Sequence, residues 1–251
     1  MEILLIGAVV GLSSGLFGIG GSVLATPLLR LSGIEPLLAL ATPLPGILPT
    51  ALAGIAAYWR RRLVDWRTSA WILLGGLPGT VVGALLTRLT GGQPLMIATG
   101  ALLLAVGVRF LWESWNTPEQ PTDTAESPPL PSHPKLVGLG LGTGLLSGLL
   151  AIGGGFILVP ALTFGFRLPL KRALGTSLVC VAGMALPGTL VHAWLGHIAP
   201  QLLLPFLLGS VPLAYAGGAL ATMMPSRTLR RLYGASLTGF AMFFLWTQLR
   251  G

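Results

Sequence analysis

Two stretches of this chain, Pro36 to Trp59 and Thr68 to Thr87, run for about twenty residues or more without a formal charge. That is the length an α-helix needs to cross roughly 30 Å of hydrocarbon. Composition points the same way. Of 251 residues, 53% are hydrophobic and 9% charged, whereas a soluble domain carries roughly 25% charged residues. A soluble fold of this length cannot hide so much apolar surface. With lipid as the solvent, backbone hydrogen bonds must be satisfied internally, and uninterrupted apolar runs select helices over a barrel of alternating ten-residue strands. The expected class is an all-α integral membrane protein.

The net charge of +8 does not read as nucleic-acid binding, because Lys and Arg sit in short clusters between apolar runs, where topology explains them. Cys180 is the single cysteine, which excludes an intramolecular disulfide and a cysteine-rich metal site. The N-terminal stretch carries only Glu2 and lacks the basic region of a signal peptide, so it is read as retained structure.

Residues 116–134, NTPEQPTDTAESPPLPSHP, hold six prolines, three acidic residues and no Lys or Arg, a composition suited to water and unsuited to a helix. They divide the chain into a first repeat (1–115), a linker (116–134) and a second repeat (135–251). GLSSGLFGIGGSVLATPLLRL at 11–31 matches GLLSGLLAIGGGFILVPALTF at 144–164 with ten identities in twenty-one positions. One added residue later, ALATPL (39–44) aligns with ALGTSL (173–178), Gly100 with Gly234, and FLW (110–112) with FLW (244–246). The chain is a duplication.

Each half contains four apolar segments, eight in all: roughly 2–31, 36–59, 68–87 and 94–112, then 136–166, 173–195, 201–224 and 229–249. The first of each set is about thirty residues long with a glycine cluster in its middle, too long for a comfortable single span and too short for two. If every segment crosses, basic residues divide seven to eight between the two faces and no orientation follows. If the glycine segments are re-entrant, twelve basic residues (60, 61, 62, 67, 109, 135, 167, 171, 172, 227, 230 and 231) face Arg30, Arg88 and Arg250. The second split is the one the positive-inside rule favours. The expectation is two inverted repeats, each of three full transmembrane helices plus one glycine-broken re-entrant hairpin, with both termini outside and the linker cytoplasmic. Such inversion is common in secondary transporters.

Glycine tolerates positive φ and close backbone approach, so a GIGG break can form a hairpin tip at membrane depth. The half-helix after the break begins with N–H groups that lack intrahelical partners and carry the positive end of the helix dipole, which suits an anion without any buried Lys or Arg. The expected substrate site is therefore Gly18, Gly20, Gly21 and Ser22 with Ile152, Gly153, Gly154 and Gly155, supplemented by the hydroxyls of Thr42, Thr176 and Ser177. Ser14, Ser147, Cys180 and His192 are candidates for the pathway.

GLFGIGGS (15–22) and GLLAIGGG (148–155), each followed by an apolar stretch ending in Pro27 or Pro160, resemble the signature of the TauE/SafE (sulfite exporter, TSUP) family of membrane transporters. The resemblance covers essentially the whole chain and includes the Thr42 and Thr176 segments. It implies transport of a small sulfur-containing or organic anion such as sulfite or a sulfonate. The copies differ where Ser22 meets Gly155, Gly18 meets Ala151 and Pro43 meets Ser177, so the halves are not expected to contribute equally.

Plainer readings stand beside these. Small residues also serve tight helix packing, as in GTVVGA (79–84) and GTGLLSG (142–148). Serine and threonine in membrane helices often bond their own backbone. His192, aligned with Tyr58, is either a proton relay or an interfacial histidine without a role. Cys180, one turn after Thr176, either lines the cavity or fills space. The cluster at Arg60 to Arg62 reads as an interfacial anchor that could also meet anionic lipid. No span holds paired carboxylates, a zinc motif or a nucleophile elbow, which argues against an enzyme. No cofactor or metal is expected. H+ and Na+ are the candidate coupling ions, and a homo-oligomer is a candidate assembly. A channel of the same architecture and a non-transporting scaffold are the alternatives.

Overall fold

The computed structural model describes residues 1–86, 92–116, 132–150, 153–196 and 198–250. Most of the linker, together with Ala151 and Ile152, lies outside them, as does the side chain of Ser22. The described residues form helices and turns, with no strand among them. The helices are α1 (Glu2–Phe17), α2 (Ser22–Leu31), α3 (Pro36–Ala41), α4 (Leu44–Trp59), α5 (Trp66–Leu86), α6 (Gly92–Asn116), α7 (His133–Leu150), α8 (Gly155–Pro160), α9 (Leu170–Trp194), α10 (Pro200–Met223) and α11 (Ser226–Arg250). A π-helical turn, Ala161–Gly165, continues α8.

Three of these, Trp66–Leu86, Leu170–Trp194 and Pro200–Met223, are long and apolar enough to cross a membrane. Leu190 is 71% exposed and Leu204 68%, so the outer surface of the bundle is apolar and matches lipid rather than water. The 36–59 segment, read as one run from its hydropathy, is interrupted at Thr42 and Pro43 between α3 and α4. Proline lacks the N–H that would continue the ladder. Where the second copy has Ser177 instead of Pro43, α9 runs unbroken from Leu170 to Trp194.

Each half packs into the other. α1 lies along α10 and α5 along α7, while α4 and α9 occupy the middle and α6 pairs with α11. The close approach is made by glycines four residues apart. Gly7, Gly11 and Gly15 of α1 rest on the backbone carbonyls of Phe206, Ser210 and Ala214 in α10. In the second copy Gly140, Gly144 and Gly148 of α7 rest on those of Ile72, Gly76 and Thr80 in α5. The two sets match position by position under the sequence alignment. Lipid offers no hydrophobic drive between helices, so backbone proximity and dispersion must hold them together, and a β-carbon on this stripe would strike a carbonyl.

Both long segments are interrupted at the glycines, and in the first of them α2 packs against α1. Ile6 and Val10 of α1 share a buried cluster with Ala25 and Leu29 of α2. Leu136, near the start of α7, shares another with Leu158 of α8 and Leu162 of the π-helical turn.

Candidate functional site at the two glycine breaks

α1 ends where Gly18 turns left-handed (φ 65°), its N–H closing on the Ser14 carbonyl at 2.9 Å. Gly20 (φ 76°) and Gly21 (φ 83°) hold the same unusual sign, as do Gly153 (φ 73°) and Gly154 (φ 69°) in the second break. Side chains with a β-carbon rarely adopt this conformation. The helices then restart alike: Leu24 and Ala25 N–H donate to the Gly21 carbonyl, and Ile157 and Leu158 N–H to that of Gly154. No side chain caps α2 or α8.

The two breaks touch. A β-carbon placed on Gly155 would lie 2.7 Å from the Gly18 carbonyl oxygen and 2.8 Å from the Ile19 α-carbon. Gly20 packs against Val181 of α9 and lies near Ile47 of α4, two residues that occupy equivalent positions in the two copies. Gly18, Ile19, Gly20 and Gly21 are buried, and so are Gly153, Gly154 and Gly155. Ile152 lies outside the described residues.

The hydroxyls expected near the tips separate into two groups. Ser177 joins the first break: its Oγ lies 2.7 Å from the Gly18 carbonyl and 2.9 Å from that of Leu174, so one proton is shared between two acceptors. Ser14 sits beneath Gly21, with its Cβ 3.4 Å from where a β-carbon there would stand. It is fully buried and its hydroxyl has no hydrogen-bond partner. Ser147 sits under Gly154 in the same way, at 3.2 Å.

Thr176 and Thr42 each accept a hydrogen bond from the opposite repeat. Thr176 Oγ1 accepts the Asp65 N–H at 3.0 Å and Thr42 Oγ1 accepts the Ala199 N–H at 3.0 Å. Asp65 and Ala199 immediately precede α5 and α10. Each threonine thus clips the start of a helix in the other repeat. Cys180 faces the same way as Thr176, its Sγ 4.0 Å from the Ser69 carbonyl within the cluster around Ile72 and Met184. It packs between α9 and α5. His192 is fully buried in the last turns of α9.

Ile19, Ile47, Leu174 and Val181 surround the tips without having been singled out from the sequence, since apolar residues in an apolar segment carry no distinguishing signal. Tyr58, whose sequence signal is only its alignment with His192, donates its hydroxyl to the Gly15 carbonyl at 2.9 Å, three residues before the break. Among the described residues no group of three His, Cys, Asp or Glu is placed to hold a metal ion.

Helices interrupted by glycine inside a bundle with an apolar exterior define a polytopic helical membrane protein with irregular backbone at its centre. The chain belongs to the TauE/SafE family of membrane transporters: the model described as "Sulfite exporter TauE/SafE" matches residues 3–244. A protein of Xylella fastidiosa named "Probable membrane transporter protein" is 32% identical over 248 residues, covering 96% of this chain and 92% of its own. YunE of Bacillus subtilis, with the same descriptive name, is 26% identical over 87% of this chain and 85% of its own. YjnA of the same organism is 25% identical over 92% and 93%. No solved structure matches.

Proposed function

We propose that this protein is a secondary transporter that carries a small anion across the cytoplasmic membrane by alternating access at a midplane site between the two hairpin tips. The anion is sulfite, a sulfonate or a related organosulfur or carboxylate ion. The observation that carries this reading is the contact of Gly155 with Gly18 and Ile19, two backbone breaks from opposite halves, beside the partnerless buried hydroxyl of Ser14. An unsatisfied hydroxyl in the protein interior is unfavourable by about 1–3 kcal/mol, and an arriving anion would relieve it. The uncapped first turns of α2 and α8 would add backbone N–H donors. In the described arrangement the tips are closed on each other, so an anion enters only when the hairpins part. That is the motion alternating access requires.

Inverted repeats, re-entrant hairpins and a cytoplasmic linker are part of the same reading. The folding back of α2 on α1 supports the hairpins, and the matched glycine stripes support a two-fold relation between repeats. Orientation gains support from two pairs of left-handed residues. Gly33 (φ 80°) stands where the second copy has Arg167 (φ 55°), and Gly196 (φ 73°) where the first has Arg62 (φ 56°). Arginine in this region is strained by about 1–2 kcal/mol where glycine is not. Both arginines fall on the face assigned to the cytoplasm, where positive charge sets topology.

The direct test is flux of labelled sulfite, methanesulfonate and acetate into proteoliposomes, with and without a pH gradient or membrane potential. Accumulation of at least one anion is expected. Absence of flux for all of them, from protein that elutes as a folded species, would return the chain to the scaffold reading.

A further inference from the structure

An aromatic cluster links the first hairpin tip to the end of the bundle where the linker attaches. Tyr233 of α11 meets Phe17, the residue before Gly18, edge-on at 5.6 Å, and Phe110 of α6 at 4.4 Å. Phe110 continues to Phe164 of the π-helical turn at 4.6 Å. The Arg109 guanidinium lies 4.8 Å from the centre of the Phe164 ring. α6 and α11 run antiparallel, since Gly100 meets Leu245 and Gly107 meets Thr238. The start of α11 therefore lies at the same end as the end of α6, from which the linker departs.

Two polar side chains on α11 at this end hold buried atoms without hydrogen-bond partners. Tyr233 is fully buried and its hydroxyl has no hydrogen-bond partner. One turn nearer the linker on the same helix face, Arg230 Nε is buried and also without a partner. The duplication supplies the control. The equivalents of Arg230, Tyr233 and Arg109 in the other copy are Met96, Thr99 and Phe243, so the helix pair does not need a guanidinium and a phenol at these positions. Buried donors left unsatisfied are expensive, and both can donate to one small acceptor-rich ion. Arg227 and Arg231, flanking on α11, raise the local anion concentration at that end.

We infer that Arg230 and Tyr233 form a second anion-binding step, specific for a small oxyanion with at least two acceptor oxygens, between the linker-side solution and the first hairpin tip. Its role as a step on a route rests on the transport reading above; its affinity for the ion does not.

The test is calorimetric titration of the full-length protein in detergent with sodium sulfite, paired with proteoliposome flux. Arg230→Gln should weaken binding at least about tenfold, the loss expected of a charge-assisted hydrogen bond. Tyr233→Phe should weaken it by about three- to tenfold and melt at or above the wild-type temperature, since it removes an unsatisfied hydroxyl. Arg230→Lys should recover most of the affinity. Wild-type affinity in both Arg230→Gln and Tyr233→Phe overturns the inference. If Arg230→Gln does not fold, Tyr233→Phe decides alone. Ser14→Ala separates the two sites. Lost flux in Ser14→Ala with unchanged binding and flux in the Arg230 and Tyr233 variants leaves the midplane site standing and removes this one. Unchanged flux in Ser14→Ala with weakened binding in Arg230→Gln does the reverse.

Discussion

The Ser32 hydroxyl donates a 2.7 Å hydrogen bond to the Glu2 carboxylate, joining the two ends of the first long apolar segment. Entrance and exit of that segment therefore lie side by side. On the re-entrant reading proposed above, both ends belong to one face of the membrane. With Cys180 replaced by alanine, single cysteines at positions 2 and 32 should react with a membrane-impermeant maleimide added from the same side. Labelling from opposite sides would remove the hairpin.

The glycine stripes make a graded stability prediction. A β-carbon at Gly144 meets the Gly76 backbone, whereas one at Gly142 meets nothing within 4 Å. Gly144→Ala should cost about 1–3 kcal/mol through overpacking. Gly142→Ala should be neutral or gain up to about 1 kcal/mol from helix propensity. Thermal unfolding in detergent would order the two variants.

At the tips the prediction concerns transport rather than folding. Gly155 has no left-handed φ to protect, so Gly155→Ala tests contact alone. Its methyl would press on Gly18 and Ile19 and alter the closed state. Flux should fall about tenfold or more, the change set by a 1.4 kcal/mol shift between states, while the elution profile stays that of the wild type. Full flux in Gly155→Ala would mean that the tips do not need to meet.

Ser14 and Thr176 separate substrate contact from scaffold. Ser14→Ala removes an unpaired hydroxyl, so stability should hold or rise by up to about 1 kcal/mol, with weaker apparent substrate affinity if the site lies there. Thr176→Val strips the acceptor from the Asp65 N–H. It should lose about 1–2 kcal/mol of stability and leave affinity unchanged. Thermal melts paired with flux titrations read both quantities.

Arg62 and Arg167 carry the last prediction. Changing both to glycine relieves backbone strain but removes two positive charges from one face. Unfolding temperature should move little, because relieved strain is offset by the greater freedom of glycine in the unfolded chain. The fraction of molecules with the linker accessible from outside should rise, as read by protease cleavage in intact cells.

The sequence by itself determined that the protein is helical and lives in lipid, that it is a duplication, and that it belongs with the TauE/SafE transporters, because hydropathy, charge spacing and a repeated glycine motif are local properties of the chain. The placement of GTVVGA and GTGLLSG in helix packing was also legible, with Gly79, Gly83, Gly144 and Gly148 all meeting backbone across α5 and α7. Which face of α9 meets the hairpin was not. Thr176 and Ser177 are neighbours with nearly the same chemistry, yet a rotation of about 100° per residue sends one to Asp65 and the other to Gly18. The apolar helix has no amphipathic stripe to announce that choice, since in lipid both faces are greasy. Only the packing of one repeat into the other decided which hydroxyls were consumed as clips and which, at Ser14 and Tyr233, were left buried without a partner.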